Sequence, residues 1–228
     1  MIIDEERKEA VRQALMDLYK VCEPEPPRGY PHLGLSIIDA VFSLYANYAS
    51  VANVIDRYCS QVDELKSEGA RFDGSIPEHT IGSLLAVVDP LSEEELLSLF
   101  GNRQLAPGTK IPKAMVVRNA AHALKDSGVI KRLDLKEANL CQVEKVVRMV
   151  PGIGVAAWRY LLNLAQIEEV KPDVMVARWI RGVTHDDSIS YIEAADLLKT
   201  AALGLDRPSE HPVRTADHTV WRFESGRR

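Results

Sequence analysis

Apolar residues recur every three or four positions along most of this chain, and no other feature constrains its fold as strongly. Residues 4–21 illustrate the spacing, with Val11, Leu15, Leu18 and Tyr19 on one face of an α-helix. No run of residues alternates apolar and polar side chains between the turn pairs that a β-hairpin requires. The pattern therefore predicts an all-α protein.

A long helix is expected near the centre of the fold. Ser36 is a suitable N-cap, and residues 37–55 are apolar enough for burial on most sides. The C-terminal tail is mixed in character, but its Trp221 and Phe223 indicate that it packs on the rest of the protein. Further helices are predicted at about 58–68, 77–88, 92–100, 112–127, 134–137, 140–149, 154–165, 172–182 and 188–202.

The composition is that of a globular protein, with 46% hydrophobic and 27% charged residues among 228. The three cysteines are far apart and suggest neither a disulfide framework nor a Cys-x-x-Cys motif, which favours a reducing cytoplasm. The N-terminus has no basic region followed by an apolar run, as a signal peptide would have. Polar residues interrupt every long apolar stretch, so no membrane span is predicted.

The formal net charge of −5 at first argues against a partner that is itself a polyanion. The charge is unevenly distributed, however. Residues 56–98 hold 10 acidic and 3 basic side chains, a net charge of −7, whereas residues 99–159 hold 4 acidic and 11 basic ones, a net charge of +7. The second segment can present a positive face within an acidic protein. The alternative is an ordinary set of solvated helix faces.

The segment Val143–Leu162 is predicted to form a helix, a tight turn and a second helix. Gly152 and Gly154 lie in the turn, where glycine permits backbone angles closed to other residues and lets a ligand approach. The second helix opens with unpaired amides from Ile153 to Ala156, and its dipole adds partial positive charge. This helix start is predicted to bind a nucleic-acid phosphate, and a plain glycine turn between two helices is the alternative.

A carboxylate follows soon after this hairpin. Pro172 and Asp173 begin a predicted helix, with Asp173 placed 19 residues after Gly154. An aspartate at such a position is usually only a partner of the helix dipole. Because it comes one helix and one short loop after a phosphate-binding hairpin, we interpret Asp173 as a carboxylate near the sugar of a bound nucleotide.

The hairpin sequence Val150–Gly154 and the segment Val170–Arg178 with its Asp173 together resemble the signature of a known superfamily. This is the helix-hairpin-helix, Gly/Pro-rich loop and aspartate (HhH-GPD) signature of the base-excision DNA glycosylases related to endonuclease III. Weaker similarity covers residues 36–57 and the Lys-Ala-containing segment 111–121.

The resemblance implies two helical subdomains that flank a DNA-binding cleft. A helical barrel subdomain would span 36–165 with the hairpin at 143–162, and residues 1–35 plus 166–228 would form the second subdomain with the catalytic aspartate. Hydrolysis of an N-glycosidic bond develops positive charge on the sugar, and Asp173 would stabilise that charge and orient water. The phosphate contacts would come from Gly152, Ile153, Gly154, Val155 and Ala156.

The target base must leave the stack and enter a pocket lined with aromatic and polar groups. The candidate pocket residues are Tyr45, Asn47 and Tyr48 in the predicted central helix, and Trp158 in the second helix of the hairpin. Tyr45 and Tyr48 also fit the apolar stripe of their helix, and Trp158 is equally suited to packing, so a place in the core is the alternative for these three residues.

Three departures from the family pattern refine the expected activity. Ala156 stands where bifunctional members carry a lysine nucleophile, so no Schiff base can form there and the strand is not cut. No cysteine follows Cys141, which excludes the iron–sulfur cluster of some members. Val155, Ala156 and Ala157 supply no polar side chain, so the phosphate contacts depend on backbone amides. No metal or other cofactor is expected, and a monovalent cation at the hairpin is the one ion that the resemblance allows.

The sequence thus predicts a monofunctional DNA glycosylase that removes a damaged or modified base from double-stranded DNA and leaves an abasic site. The alternative is a non-catalytic helix-hairpin-helix DNA-binding protein in which Asp173 only caps a helix. Either protein is expected to be a monomer without membrane association, located in the cytoplasm and, in a bacterium, on the nucleoid.

Overall fold

The computed structural model describes residues 4–206 and 210–226. Within these ranges the chain forms α-helices, two short 3₁₀ helices (Asp63–Leu65 and Ala70–Phe72) and one isolated β-bridge, which confirms the predicted all-α class. The α-helices are α1 (Glu5–Val21), α2 (Leu33–Phe42), α3 (Tyr48–Cys59), α4 (Ile81–Val88), α5 (Glu93–Phe100), α6 (Lys113–Asp126), α7 (Arg132–Glu137), α8 (Leu140–Val147), α9 (Val155–Leu164), α10 (Val174–Thr184), α11 (Tyr191–Leu203) and α12 (Pro212–Ser225).

The chain divides into two compact units. Gly29–Gln166 form the first unit, which contains α2 to α9 and is called the hairpin unit. Met1–Arg28 and Ile167–Arg228 form the second, which contains α1 and α10 to α12 and is called the terminal unit. No helix in the described ranges combines the length and the apolar character that crossing a membrane would require.

Helix α2 forms the centre of the hairpin unit. All of its residues are buried, and it packs against α4, α6 and α9. The predicted continuous helix from Ser36 to Ile55 is wrong, because α2 begins at Leu33 and ends at Phe42, and α3 begins only at Tyr48. The centre of the unit is therefore a short, fully enclosed helix followed by a turn.

The turn between α2 and α3 has local causes. Tyr45 has a left-handed φ of +50°, which a continuing right-handed helix does not allow. Asn47 then caps α3, because its side-chain oxygen accepts the Ser50 amide at 2.8 Å. Ser36 lies inside α2 and donates its hydroxyl to His32 O at 3.3 Å, so it is not the expected N-cap.

Four helices, α1, α10, α11 and α12, form the core of the terminal unit. The tail docks as the sequence indicates, but it does so as the regular helix α12. Val213, Ala216 and Val220 are fully buried at helical spacing. Trp221 is exposed and Phe223 is only partly buried, so these two aromatic residues are not the main contacts of the tail.

Candidate nucleic-acid interface and catalytic carboxylate

The hairpin consists of α8, a turn and α9. Val143 and Val147 of α8 are buried, as are Ala157 and Leu161 of α9. In each helix the two residues are four positions apart and so lie on one face. Both helices are therefore anchored in the hairpin unit, and the turn between them has a fixed position on that unit.

The two glycines of the turn differ in their surroundings. Gly152 has a φ of +97°, and a Cβ at this position would lie 2.7 Å from the Cβ of Ala106, so another residue would strain the turn. Gly154 has an extended backbone, and a Cβ there would meet open space. Gly152 therefore fixes the turn, whereas Gly154 leaves the surface beside α9 open to a ligand.

The start of α9 leaves backbone amides unused. No side chain caps this helix, and the amides of Gly154, Val155 and Ala156 donate no hydrogen bond to any part of the chain that the structure describes. The Ile153 amide differs from our expectation, because it donates to Val150 O at 3.0 Å within the turn. The available donors thus begin at Gly154, where the helix dipole adds partial positive charge.

Fewer positive charges are available than the count for residues 99–159 suggests. Lys113 is buried, and Arg148 forms an ion pair with Glu144 at 3.0 Å. Lys110 and Lys145 are exposed and make no ion pair within the described residues. These two lysines remain available to attract a polyanion to the hairpin unit.

Two of the candidate pocket residues lie at the surface of the hairpin unit. Tyr45 is 93% exposed and Tyr48 is 75% exposed, so the alternative of core packing does not apply to them. Asn47 uses its side chain to cap α3. Trp158 is only 2% exposed and lies in the core, so its ring adds nothing to the exposed aromatic surface.

An open depression of about 420 Å³ lies beside Tyr45. The loop 102–112 forms part of its wall through residues that include the exposed Leu105. The same loop contacts the hairpin turn, since Ala106 lies against Gly152. The depression and the hairpin turn therefore border one loop of the hairpin unit.

Lys113 holds this loop to the turn that carries Tyr45. Its ammonium group donates to Phe42 O at 3.1 Å, Leu44 O at 2.5 Å and Gln104 Oε1 at 2.9 Å. The side chain is 2% exposed, and burial lowers its pKa. The sequence shows only a lysine in a basic segment, because the three acceptors come from parts of the chain that spacing does not bring together.

Asp173 is the N-cap of α10. Its Oδ1 accepts the amides of Met175 at 2.9 Å and Val176 at 3.0 Å. Its Oδ2 makes no hydrogen bond with the described residues, and the side chain is half-buried. One oxygen is therefore fixed by the helix, and the other remains available to a ligand.

A second carboxyl group, Asp217 of α12, lies near Asp173 within the terminal unit. Burial raises the pKa of Asp217 well above its ordinary value, and the charge of Asp173 raises it further. The charges of Lys171 and Arg214 and a hydrogen bond from the Lys171 amide act in the opposite direction. Nothing in the sequence spacing indicates that Asp217 contacts the segment before Asp173.

Within the described residues no group of His, Cys, Asp and Glu side chains is arranged to hold a metal ion. His211, the N-cap of α12, and His218, within α12, each contact an oxygen atom of another segment. His211 Nδ1 lies 3.1 Å from Glu168 Oε1, and His218 Nδ1 lies 3.0 Å from Glu25 O.

Two solved structures have a similar fold. The 3-methyladenine DNA glycosylase Mag1 of Schizosaccharomyces pombe, in complex with abasic DNA, has a TM-score of 0.60 and 14% sequence identity, over 96% of this chain and 97% of that chain. MBOgg1, in complex with a low-affinity DNA ligand, has a TM-score of 0.63 and 11% identity, over 98% of this chain and 70% of that chain. At this level of identity the likeness concerns the fold.

Among curated proteins no sequence matches the chain significantly. The family described as "Domain of unknown function (DUF8548)" matches residues 5–225, which is nearly the whole chain. The chain therefore belongs to the DUF8548 family, and its fold is similar to that of the helix-hairpin-helix DNA glycosylases.

Proposed function

We propose that the protein is a DNA glycosylase that hydrolyses the N-glycosidic bond of a damaged or modified base in double-stranded DNA. The proposal is carried by the half-buried Asp173 carboxylate, which has one oxygen fixed by α10 and the other available. The two proteins of similar fold are described as a DNA glycosylase and as MBOgg1, and both were solved with DNA, which supports this class of partner.

The hairpin would hold the DNA backbone. The amides of Gly154, Val155 and Ala156 are free to donate to a phosphate oxygen, and no side chain of α9 competes for them. Because these contacts are made to the backbone, they position the DNA without reading its sequence.

Asp173 would act on the sugar. The bond between C1′ and the base nitrogen breaks, and its electron pair leaves with the base. The sugar then carries oxocarbenium-like positive charge, which the Asp173 carboxylate stabilises. Water adds to C1′, and the proton that it gives up balances the electron pair that left with the base, so the products are the free base and an abasic site.

We further propose that the strand stays intact. Cleavage by a bifunctional glycosylase needs an uncharged lysine amine that attacks C1′. The hairpin position that such enzymes fill with lysine is Ala156, and the Lys113 ammonium group donates to three oxygen atoms. Lys171 lies close to Asp173 in sequence, so the absence of strand cutting has to be measured directly.

Tyr45 and Tyr48 would supply the aromatic contacts to the bases around the target. Both rings are exposed on the hairpin unit, and Tyr45 lies beside a depression that also includes Leu105. Tyr45→Ser is expected to slow base release at least tenfold, whereas Tyr191→Ser, an exposed tyrosine of the terminal unit, is expected to leave the rate unchanged. Equal rates for the two variants would remove Tyr45 from the proposed contacts.

The activity is tested with duplexes that each carry one modified base. Incubation followed by alkali is expected to cut the labelled strand at the position of one or more of these bases, and incubation without alkali is expected to leave the strand whole. Cutting without alkali would contradict the monofunctional reaction and would implicate a lysine such as Lys171. The proposed reaction needs only water besides DNA, and a monovalent cation at the hairpin stays a prediction, as does the monomeric state.

The second candidate is a DNA-binding protein without catalysis. It is favoured by one observation, which is that Asp173 caps α10 and therefore has a structural role. This candidate predicts DNA binding that weakens as salt increases, together with no release of any base from the panel. The incubation experiment therefore separates the two candidates.

A further inference from the structure

Contacts along the whole of segment 168–173, which ends at Asp173, hold it in place within the terminal unit. At its beginning, Glu168 Oε2 accepts the Val213 amide at 2.7 Å and thereby caps the start of α12. Glu169 Oε2 lies 2.7 Å from Lys199 Nζ of α11. Val170 is fully buried in the core of the unit.

Asp217 fastens the other end of this segment. It lies on α12 one turn after Val213, it is 9% exposed, and it accepts a hydrogen bond from the Lys171 amide. Pro172 follows Lys171 and has no amide hydrogen. The Lys171 amide is therefore the last backbone donor before Asp173, and a buried carboxyl group holds it.

The charge of the two carboxyl groups is also coupled. Burial and the negative charge of Asp173 both raise the pKa of Asp217. Both effects favour a proton on Asp217. Asp217 can hold the backbone in this state, because a protonated carboxyl group still has an oxygen that accepts the Lys171 amide.

We propose that Asp217 is a positioning residue, which holds the Lys171 amide and so fixes the backbone that carries the Asp173 carboxylate. The inference rests on the proposed hydrolysis, and it assigns to α12 a part in that reaction. Asp217 would touch neither the base nor the sugar. Its effect would be exerted through the direction in which Asp173 points, and a displacement of about 1 Å at a reacting group can slow a reaction about a hundredfold.

Asp217→Ala, Asp217→Asn and the control Asp17→Ala, on an exposed face of α1, test this inference. Asp217→Ala is expected to speed exchange of the Lys171 amide hydrogen, measured by NMR, at least tenfold. It should also slow single-turnover base release about a hundredfold, while the Kd for a duplex with an abasic-site analogue stays within twofold. Asp217→Asn is expected to restore both values, because its amide oxygen accepts the same hydrogen bond without charge.

The inference is overturned if Asp217→Ala behaves like Asp17→Ala, or if Asp217→Asn is as slow as Asp217→Ala. Circular dichroism of each variant identifies a loss of fold. If Asp217→Ala does not fold, the exchange rate of the Lys171 amide hydrogen in Asp217→Asn decides. If the parent protein releases no base at all, the proposed function fails and amide exchange alone decides. Faster exchange in Asp217→Ala but not in Asp217→Asn would support the hydrogen bond from the Lys171 amide to Asp217. Unchanged exchange in Asp217→Ala would contradict it.

Discussion

Helices α9 and α10 begin with the same backbone geometry and use it in opposite ways. Gly154 and Asp173 are both extended, with ψ near 180°, and each is the N-cap of a helix of ten or eleven residues. At Gly154 no side chain takes the first amides, whereas at Asp173 the carboxylate accepts two of them. One side chain therefore decides whether a helix start leaves its amides open or presents a carboxylate of its own.

The start of α2 shows what happens when a helix begins inside the core. Its N-cap has no side-chain hydrogen bond to the helix, yet the amides cannot be left for solvent. Gly34 donates to His79 O at 2.9 Å, and Leu33 donates to Glu78 Oε1 at 3.3 Å. Of these three helix starts, only that of α9 leaves three consecutive amides without an acceptor among the described residues, and this contrast supports the proposed anion site at the hairpin.

The largest effect is expected from removing the charge of Asp173 while keeping the cap. Asn accepts helix amides as well as Asp does, so Asp173→Asn should lower the free energy of unfolding by less than about 1 kcal/mol. Base release should slow about 10³-fold, because the developing positive charge on the sugar loses its counter-charge. Single-turnover kinetics and urea unfolding measure the two quantities.

Asp173→Ala is the matched comparison for this prediction. It should lose the same activity and, in addition, about 1 kcal/mol of stability, because the two amides of α10 lose their acceptor. If Asp173→Asn releases base at the parental rate, Asp173 only caps α10, as the non-catalytic candidate proposes.

The next largest effect is expected at the C-terminal end of α2, where the Lys113 ammonium group binds backbone oxygen atoms. Lys113→Met removes the ammonium group that donates to Phe42 O, Leu44 O and Gln104 Oε1, and it leaves these acceptors unsatisfied. We expect a loss of about 3 kcal/mol in the free energy of unfolding. Lys110→Met, at an exposed position of the loop 102–112, should change the free energy of unfolding by less than about 0.5 kcal/mol. A loss below about 1 kcal/mol for Lys113→Met would contradict the role of the ammonium group.

The parts that sequence reasoning predicts well depend on neighbours along the chain. The helices of the hairpin and the carboxylate at the start of α10 follow from glycine, apolar spacing and cap chemistry within a few residues. The capping box that Ser92 and Glu95 form at the start of α5 has the same local origin. Local chemistry determines these features, so one short segment is sufficient to identify each of them.

The parts that sequence reasoning misses depend on contacts between distant segments. The apolar residues continue across the turn at Tyr45, so the break between α2 and α3 has no signal in spacing alone. Lys113 and Asp217 act through groups far away in the chain. The sequence pattern does not predict helix α12, because Arg214, Asp217 and Glu224 are buried on it, and buried charged residues weaken the apolar pattern that indicates a helix.

Acid is expected to weaken the contact between the start of α2 and His79, whose backbone oxygen accepts the Gly34 amide. His79 Nε2 lies 2.8 Å from the Tyr58 hydroxyl oxygen, and burial lowers the pKa of His79 to about 4. Between this value and the ordinary pKa of about 6.5, the unfolded chain binds more protons than the folded one, so the free energy of unfolding falls as pH decreases. The loss should reach about 2 kcal/mol at pH 4.5. Urea unfolding of the parent protein and of His79→Gln at pH 7 and pH 4.5 isolates this contribution, and an equal pH dependence in both would contradict it.

The smallest expected effect is the most direct test of the contrast between α9 and α10. Gly154→Asp places a carboxylate on a backbone that already has the extended conformation of Asp173. The new side chain should accept the first amides of α9 and raise the free energy of unfolding by a few tenths of a kcal/mol. It should also repel a phosphate, so that the affinity for a duplex with an abasic-site analogue falls about tenfold and the salt dependence decreases by about one phosphate contact.

Gly154→Ala is the control for this substitution, because a Cβ at this position meets open space and adds neither a charge nor an acceptor. Its affinity, measured by fluorescence anisotropy over a salt series, should fall less than that of Gly154→Asp, and its salt dependence should stay at the parent value. If Gly154→Asp and Gly154→Ala bind equally well, the phosphate does not lie on the amides of α9. The hairpin would then be a glycine turn between two packed helices, and the charge that attracts DNA would have to come from exposed side chains such as Lys110 and Lys145.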